Sequence, residues 1–85
     1  MKKIFELLFT REFLKELKTL DKETQIRIIR ELKILEEQPF KGKRLSGQLR
    51  GQFSFRLGDY RVIYQPVEKK IIVKTVGHRS TVYER

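Results

Sequence analysis

The 85-residue chain contains no cysteine, tryptophan, alanine or asparagine, and it has a single histidine. Without cysteine it can form no disulfide and no thiolate metal site, and one histidine is too few for a histidine-based metal site. The apolar run at residues 4–9 is interrupted by Glu6 and is far shorter than the ~18 residues of a membrane helix. We therefore expect a cytoplasmic protein that has no metal, cofactor or membrane span.

Acidic residues are scarce in one half of the chain. Residues 1–40 contain nine Lys/Arg and eight Asp/Glu, whereas residues 41–85 contain eleven Lys/Arg and only three Asp/Glu. The formal net charge of +9 therefore belongs mostly to the second half. Charge that is segregated in this way favours a polyanionic partner: RNA, DNA, an acidic protein or an anionic membrane surface. A soluble basic protein without such a partner is the alternative.

The length and the hydrophobic fraction of 39% predict one domain that spans residues 1–85. Residues 3–9 resemble a strand. Thr10 is a suitable N-cap for a helix that extends to about residue 20, and Asp21 for a second helix with its own apolar stripe. The second helix should end near Gln38, because a proline disfavours helical geometry in the residue before it.

After a loop at residues 39–52 that is rich in glycine, lysine and arginine, the apolar period changes from helical spacing to two. Residues 53–57, 60–64 and 71–76 each predict a strand. The predicted fold is an α+β domain with an N-terminal strand, an αα-hairpin and a three-strand antiparallel meander. These strands should form one mostly antiparallel sheet with the helices on one face.

The pair Gly58-Asp59 is typical of a two-residue hairpin loop, and this loop sets the register of its strands. The predicted pairs are Leu57–Tyr60, Arg56–Arg61, Phe55–Val62, Ser54–Ile63 and Phe53–Tyr64. One face would then be apolar and covered by the helices, and the other would be open and carry both arginines. Two opposed arginines destabilise a strand pair by up to ~1 kcal/mol unless an anion lies between them. They indicate either an anion site or two solvated side chains on an open face.

Several residues near the end of the chain have two possible roles. His78, the only histidine, is either a structural residue or an acid–base group. Tyr83 either packs as a terminal aromatic or stacks on an RNA base. A Ser-His-Asp triad built on Ser46, Ser54 or Ser80 is not favoured, because no nucleophile-elbow sequence surrounds these serines.

Three stretches together resemble the RelE/ParE toxin superfamily, the toxins of bacterial and archaeal toxin–antitoxin pairs. They are K-R-L-S-G at 43–47, F-S-F-R-L-G-D-Y-R-V-I-Y at 53–64 and V-G-H-R-S-T-V-Y at 76–83. The resemblance extends from about residue 3 to residue 83. It implies a compact α+β fold and a cognate antitoxin that wraps around the toxin in a hetero-oligomer. The basic surface further predicts that this antitoxin is small and acidic and has an amphipathic helix.

For the RelE branch, the resemblance implies a toxin that enters the ribosomal A site and cleaves mRNA there. In that chemistry, which needs no metal, the ribose 2′-OH attacks the adjacent phosphate and leaves a 2′,3′-cyclic phosphate. By position, Arg61 matches the arginine that stabilises the phosphate in the transition state. Arg79 matches the arginine near the leaving oxygen, and Tyr83 the tyrosine that stacks on a base.

The resemblance also assigns roles to Arg56, Ser54 and His78. Arg56 matches the second of two alternating basic residues, and Ser54 occupies the place of the first, where a lysine is expected to abstract a proton. His78 is a hypothetical substitute for that lysine. Further predicted RNA contacts are Lys41, Lys43, Arg44, Arg50, Ser54 and Lys74. Besides the nuclease, two alternatives remain open: a ParE-like inhibitor of DNA gyrase, which Ser54 favours, and a basic module that binds RNA or ribosomes without cleaving.

Overall fold

The protein is represented by a computed structural model that describes residues 4–78. In chain order the elements are β1 Glu6–Phe9, α1 Arg11–Lys18, α2 Lys22–Leu32, a 3-10 turn Lys33–Glu36, β2 Lys43–Arg44, a 3-10 turn Gly47–Leu49, β3 Phe53–Leu57, β4 Tyr60–Val67 and β5 Lys70–His78. No helix within residues 4–78 is both long and apolar enough to cross a membrane.

The strands form one five-stranded sheet in the order β1-β5-β4-β3-β2. β1 runs parallel to β5, and the remaining neighbours are antiparallel. The predicted α+β fold with its helical hairpin and three-strand meander is therefore confirmed. The sheet is mixed, because β1 runs parallel to β5. The prediction missed β2, because a two-residue strand is too short to show a period of two within a loop.

Both predicted helix caps are confirmed. The Thr10 hydroxyl accepts a hydrogen bond from the backbone N–H of Phe13 at 3.1 Å, which begins α1. The Asp21 carboxylate accepts bonds from the N–H and the hydroxyl of Thr24 and so begins α2. These two bonds lower the pKa of Asp21, because they stabilise the charged form. α2 ends at Leu32 and continues as a 3-10 turn to Glu36, close to the predicted end.

The hydrophobic core lies between the helices and one face of the sheet. Its buried residues are Phe13, Leu17, Ile28, Leu32, Leu35, Phe53, Leu57, Val62, Tyr64, Ile71, Val73 and Val76. The hairpin register is confirmed for all five predicted pairs, so the apolar face of β3 and β4 is the one that the helices cover. The other face is less open than predicted, since Ser54 and Ile63 are only 2% and 4% exposed.

A β-bulge adjusts the last strand to this core. The pairing of β4 with β5 shifts between Ile63 and Tyr64, so Lys74 has no opposite residue on β4. In a regular strand, Val73 and Val76 would face opposite sides of the sheet, because they are three residues apart. The extra residue brings both valines into the core cluster.

Tyr64 fixes the loop that leads from the helices to β2. Its side chain is fully buried, and its hydroxyl donates to the carbonyl oxygen of Pro39 at 2.8 Å and accepts from the N–H of Gly42 at 3.0 Å. A side chain at Gly42 has no room, because its Cβ would lie 2.9 Å from both the Tyr64 hydroxyl and the Ser54 carbonyl oxygen. Burial raises the pKa of the Tyr64 phenol.

Candidate nucleic-acid site

Arg61 lies on β4, on the sheet face opposite the helices. It faces Arg56 on β3 and Gly77 on β5. Its Nη1 donates a hydrogen bond to the Ser54 hydroxyl oxygen at 3.2 Å, a diagonal contact between the two strands. Because Ser54 is buried, this bond holds the guanidinium group in a defined orientation. Gly77 adds no side chain on the other flank.

Arg56 is oriented differently. It is exposed, and its Nε donates to the carbonyl oxygen of Gly58 in the hairpin turn at 3.3 Å. The backbone thus places Arg56 opposite Arg61, as predicted, while Arg56 bends toward the turn and Arg61 toward Ser54. Both cations remain on one face, and an anion between them would relieve the mutual repulsion of their charges.

His78, at the end of β5, lies on the other face. It pairs with Tyr60, and the two rings meet edge to face with centroids 6.2 Å apart. Tyr60 packs against the core cluster, whereas Arg61, one residue later, points to the opposite face. The fold therefore does not bring His78 beside Arg61, and the acid–base role of His78 stays a prediction.

The two residues of β2 point to opposite faces of the sheet. Lys43 pairs with Ser54, on the face that carries Arg61, and Arg44 pairs with Phe53, on the helix side. The Arg44 guanidinium carbon lies 5.6 Å from the centre of the Phe53 ring, a cation–π contact. The sequence alone could not show that Lys43 and Arg44 lie on opposite faces, because β2 was not predicted.

The other predicted RNA contacts are more scattered. Lys41 and Arg50 are exposed in the loops on either side of β2, and Lys74 is half-buried at the bulge. Ser54 contacts Arg61 and is nearly inaccessible to solvent. Arg79 and Tyr83 lie outside the described residues, so their predicted roles are untested by the structure.

The site favours anions. Within residues 4–78, no three or more His, Cys, Asp or Glu side chains are grouped in a way that could hold a metal ion. Near Arg61, strand pairing places Lys43 and Arg56 on the same face, and Lys74, which follows the core residue Val73 at the bulge, points there too. Lys70 and Glu6 share this face farther along the sheet, where they pair with Val67 and with each other. One guanidinium group can donate two parallel hydrogen bonds to two oxygens of a phosphate. The arginines on this face can therefore bind a phosphodiester.

Sequence reasoning missed two side chains that hold the end of β5. Both side chains bond to β5 beyond Val73, the last residue of β5 that pairs with β1. The Thr10 hydroxyl donates to the carbonyl oxygen of Lys74 at 2.9 Å. Oε1 of Glu16 accepts from the Thr75 hydroxyl at 2.6 Å and from the N–H of Val76 at 2.9 Å. Side chains of α1 and its cap thus replace the missing strand. These contacts join residues far apart in sequence, so no local pattern signals them.

We expect Glu16→Ala to destabilise the fold by about 1–3 kcal/mol, because it leaves two donors of β5 without their acceptor. Glu16→Gln should reduce the free energy of unfolding by less than half of that amount, since an amide oxygen accepts the same hydrogen bonds. Chemical denaturation measures both, and hydrogen exchange at the Val76 amide reports the local effect. Equal losses in the two variants would show that the carboxylate charge, and not these bonds, is what matters.

Comparisons with known proteins agree with this fold. A family model described as the ParE toxin of the type II toxin–antitoxin system parDE matches residues 7–83. A comparison with curated proteins finds no match.

Three solved structures are similar over most of their length. The toxin–antitoxin complex RelBE2 of Mycobacterium tuberculosis has a TM-score of 0.82 at 26% identity, covering 88% of this chain and 98% of that chain. The RelE–RelB complex of Pyrococcus horikoshii has a TM-score of 0.75 at 28% identity, covering 92% of this chain and 98% of that chain. The isolated RelE toxin of E. coli has a TM-score of 0.71 at 29% identity, covering 93% of this chain and 90% of that chain. With the family match, these likenesses show that the chain belongs to the ParE toxin family of type II toxin–antitoxin systems, within the RelE/ParE superfamily.

Proposed function

We propose that this toxin is an endoribonuclease that cleaves mRNA in the ribosomal A site. The observation that carries the proposal is the arrangement of Arg61, bonded to the buried Ser54 hydroxyl and directly opposite Arg56. A cation held in place in this way suits a phosphate whose charge grows during attack. The similarity to RelE toxins supports the same branch of the superfamily.

In the proposed reaction, the 2′-oxygen of the ribose bonds to the adjacent phosphorus and the bond to the 5′-oxygen breaks. The products are a 2′,3′-cyclic phosphate and a 5′-hydroxyl. Arg61 binds the non-bridging oxygens, and Arg56 adds a second positive charge. Arg79 near the leaving oxygen and Tyr83 on a base complete the site by the resemblance. No metal is required in this scheme.

Primer extension on ribosome-bound mRNA tests the proposal. The purified toxin should produce cuts at the A-site codon in the presence of ribosomes and few or none on the same mRNA alone. The cut 5′ fragment should carry a cyclic phosphate, which is resistant to alkaline phosphatase until acid opens the ring. Intact mRNA on ribosomes would overturn the proposal.

The family description favours a second candidate, a ParE-like inhibitor of DNA gyrase. A serine at position 54 in place of a basic residue fits this alternative, because Ser54 is buried and offers no charge to RNA. Inhibition of gyrase supercoiling, with ribosome-bound mRNA left intact, would establish it. A protein that binds ribosomes but affects neither assay would instead be a non-catalytic module.

We also propose that an acidic antitoxin binds this toxin. The relatives from M. tuberculosis and P. horikoshii were solved as toxin–antitoxin complexes. On α2 a hollow has an apolar floor that includes Ile26 and Ile29, and its rim carries Lys22, Arg30 and Lys33. This combination suits an amphipathic helix with acidic flanks. Co-expression with the product of a neighbouring reading frame, followed by co-purification, tests the pairing.

For His78 we expect a small effect on the reaction, because its ring lies on the face opposite Arg61. His78→Gln should slow cleavage far less than the 10²–10⁴-fold that removal of a general acid or base costs, and the pH–rate profile should keep its shape. A steep loss of rate together with the disappearance of a limb near neutral pH would give His78 the proton-transfer role.

A further inference from the structure

Lys43, Ser54 and Arg61 lie on one face of three neighbouring strands, with Arg61 diagonal to Ser54. Lys43 of β2 pairs with Ser54 of β3, and Arg61 of β4 donates its hydrogen bond to the Ser54 hydroxyl. Paired residues of a sheet share a face, so Lys43 and Arg61 lie on the same side, with the small Ser54 side chain between them. Lys43 is exposed.

The proposed reaction needs a group that accepts the proton of the 2′-OH. An arginine cannot do this, because its guanidinium group does not lose a proton in proteins. His78 lies on the opposite face. Among the described residues near Arg61 on its face, two have an amine that can lose and regain a proton: Lys43 of β2 and Lys74 at the bulge of β5. Lys74 is half-buried, whereas Lys43 is exposed and pairs with the serine that Arg61 contacts.

We infer that Lys43 contacts the attacking 2′-oxygen and takes up its proton. This inference rests on the proposed ribonuclease function. The proton moves from the 2′-oxygen to Nζ of Lys43, the 2′-oxygen bonds to phosphorus, and the 5′-oxygen leaves and takes a proton from water. The hydroxide that remains is neutralised when Lys43 releases its proton to solvent. Arg61 meanwhile holds the non-bridging oxygens.

The spacing of the sheet fits one phosphodiester bound by both residues. Adjacent strands lie about 4.8 Å apart, so β2 and β4 are about 10 Å apart across β3. Lysine has a flexible four-carbon stem and arginine a longer rigid fork, and both extend over the intervening serine. The two-residue strand β2 therefore supplies a reactive amine to a site whose anion-binding group lies two strands away.

Two substitutions at Lys43 and one at Lys18 test the role. Lys43→Gln removes both the charge and the amine, whereas Lys43→Arg keeps the charge but cannot accept a proton. Lys18→Gln is the matched control, because it removes one exposed lysine from α1, away from the sheet face of Arg61. Single-turnover cleavage of ribosome-bound mRNA is measured across a range of pH, with melting temperatures to confirm folding.

Both Lys43 variants should lose 10²–10⁴-fold in the rate of the chemical step, and the limb of the pH–rate profile that belongs to the base should disappear. Lys18→Gln should leave the rate almost unchanged. Full activity in Lys43→Arg would overturn the inference and reduce Lys43 to a source of charge. The wild-type protein distinguishes the role of Lys43 from the proposed ribonuclease function. If the wild type does not cleave ribosome-bound mRNA, the ribonuclease function itself is refuted.

Discussion

Replacing Arg61 with alanine should reduce the rate of RNA cleavage by about 10²–10³-fold, the loss that follows removal of one oriented group that stabilises transition-state charge. Toxicity in growing cells should disappear with it. The free energy of unfolding should change by about 1 kcal/mol, because the substitution removes the hydrogen bond to Ser54 and leaves the core cluster intact. Single-turnover kinetics and thermal melting measure the two effects separately.

Three further variants sharpen the Arg61 experiment. Arg11→Ala, which removes an exposed arginine from α1, is the control for charge and should leave cleavage almost unchanged. Arg61→Lys should remain slow, because an ammonium group lacks the planar fork that binds two phosphate oxygens. Ser54→Ala should fall between wild type and Arg61→Ala, since it removes the bond from Nη1 of Arg61 to the Ser54 hydroxyl but keeps the guanidinium group. A large fall in melting temperature for Arg61→Ala would make its role structural.

Replacing Tyr64 with phenylalanine should destabilise the fold by about 2–4 kcal/mol. The ring still stacks on Phe53, at a centroid distance of 5.5 Å, so the core keeps its packing. The carbonyl oxygen of Pro39 and the N–H of Gly42 lose their partner, and each costs about 1–3 kcal/mol when it is buried without one. In a domain of this size the melting temperature should fall by roughly 10 °C or more.

Tyr60→Phe is the matched control, because it removes the same atom from a half-buried tyrosine for which residues 4–78 provide no hydrogen bond to the hydroxyl. It should leave the melting temperature nearly unchanged. Equal losses in the two variants would mean that the Tyr64 hydroxyl does not hold the loop.

The same hydroxyl makes stability depend on alkaline pH. Burial raises the pKa of Tyr64 above its ordinary value of 10.0, so the folded state prefers the neutral phenol. Its contribution is complete below pH 10 and is lost as the pH rises through the folded-state pKa. Stability curves between pH 8 and pH 12 should therefore fall less steeply in Tyr64→Phe than in the wild type. Parallel curves would exclude this titration.

The elements with strong local signals could be predicted from the sequence. The caps at Thr10 and Asp21 and the hairpin around Gly58 each depend on residues within a few positions of one another, and all three are confirmed. The register follows from the length of the turn, and the predicted position of Arg56 opposite Arg61 is confirmed.

What could not be predicted depends on contacts between distant segments. β2 exists because Lys43 and Arg44 meet β3, and the bulge at Lys74 exists because the core needs both Val73 and Val76. Alternation alone predicted an open face around Arg61. It could not show that the residues beside it on the same face, including Ser54, are buried.

The parallel pairing of β1 with β5 has a consequence for the biosynthesis of this toxin. β5 is the last of the described strands to leave the ribosome, yet it occupies an interior place in the sheet, between β1 and β4. A nascent chain that ends before residue 70 therefore leaves β1 without a neighbour and leaves out Ile71, Val73 and Val76 from the core. The domain should therefore remain unfolded until the ribosome has synthesised β5.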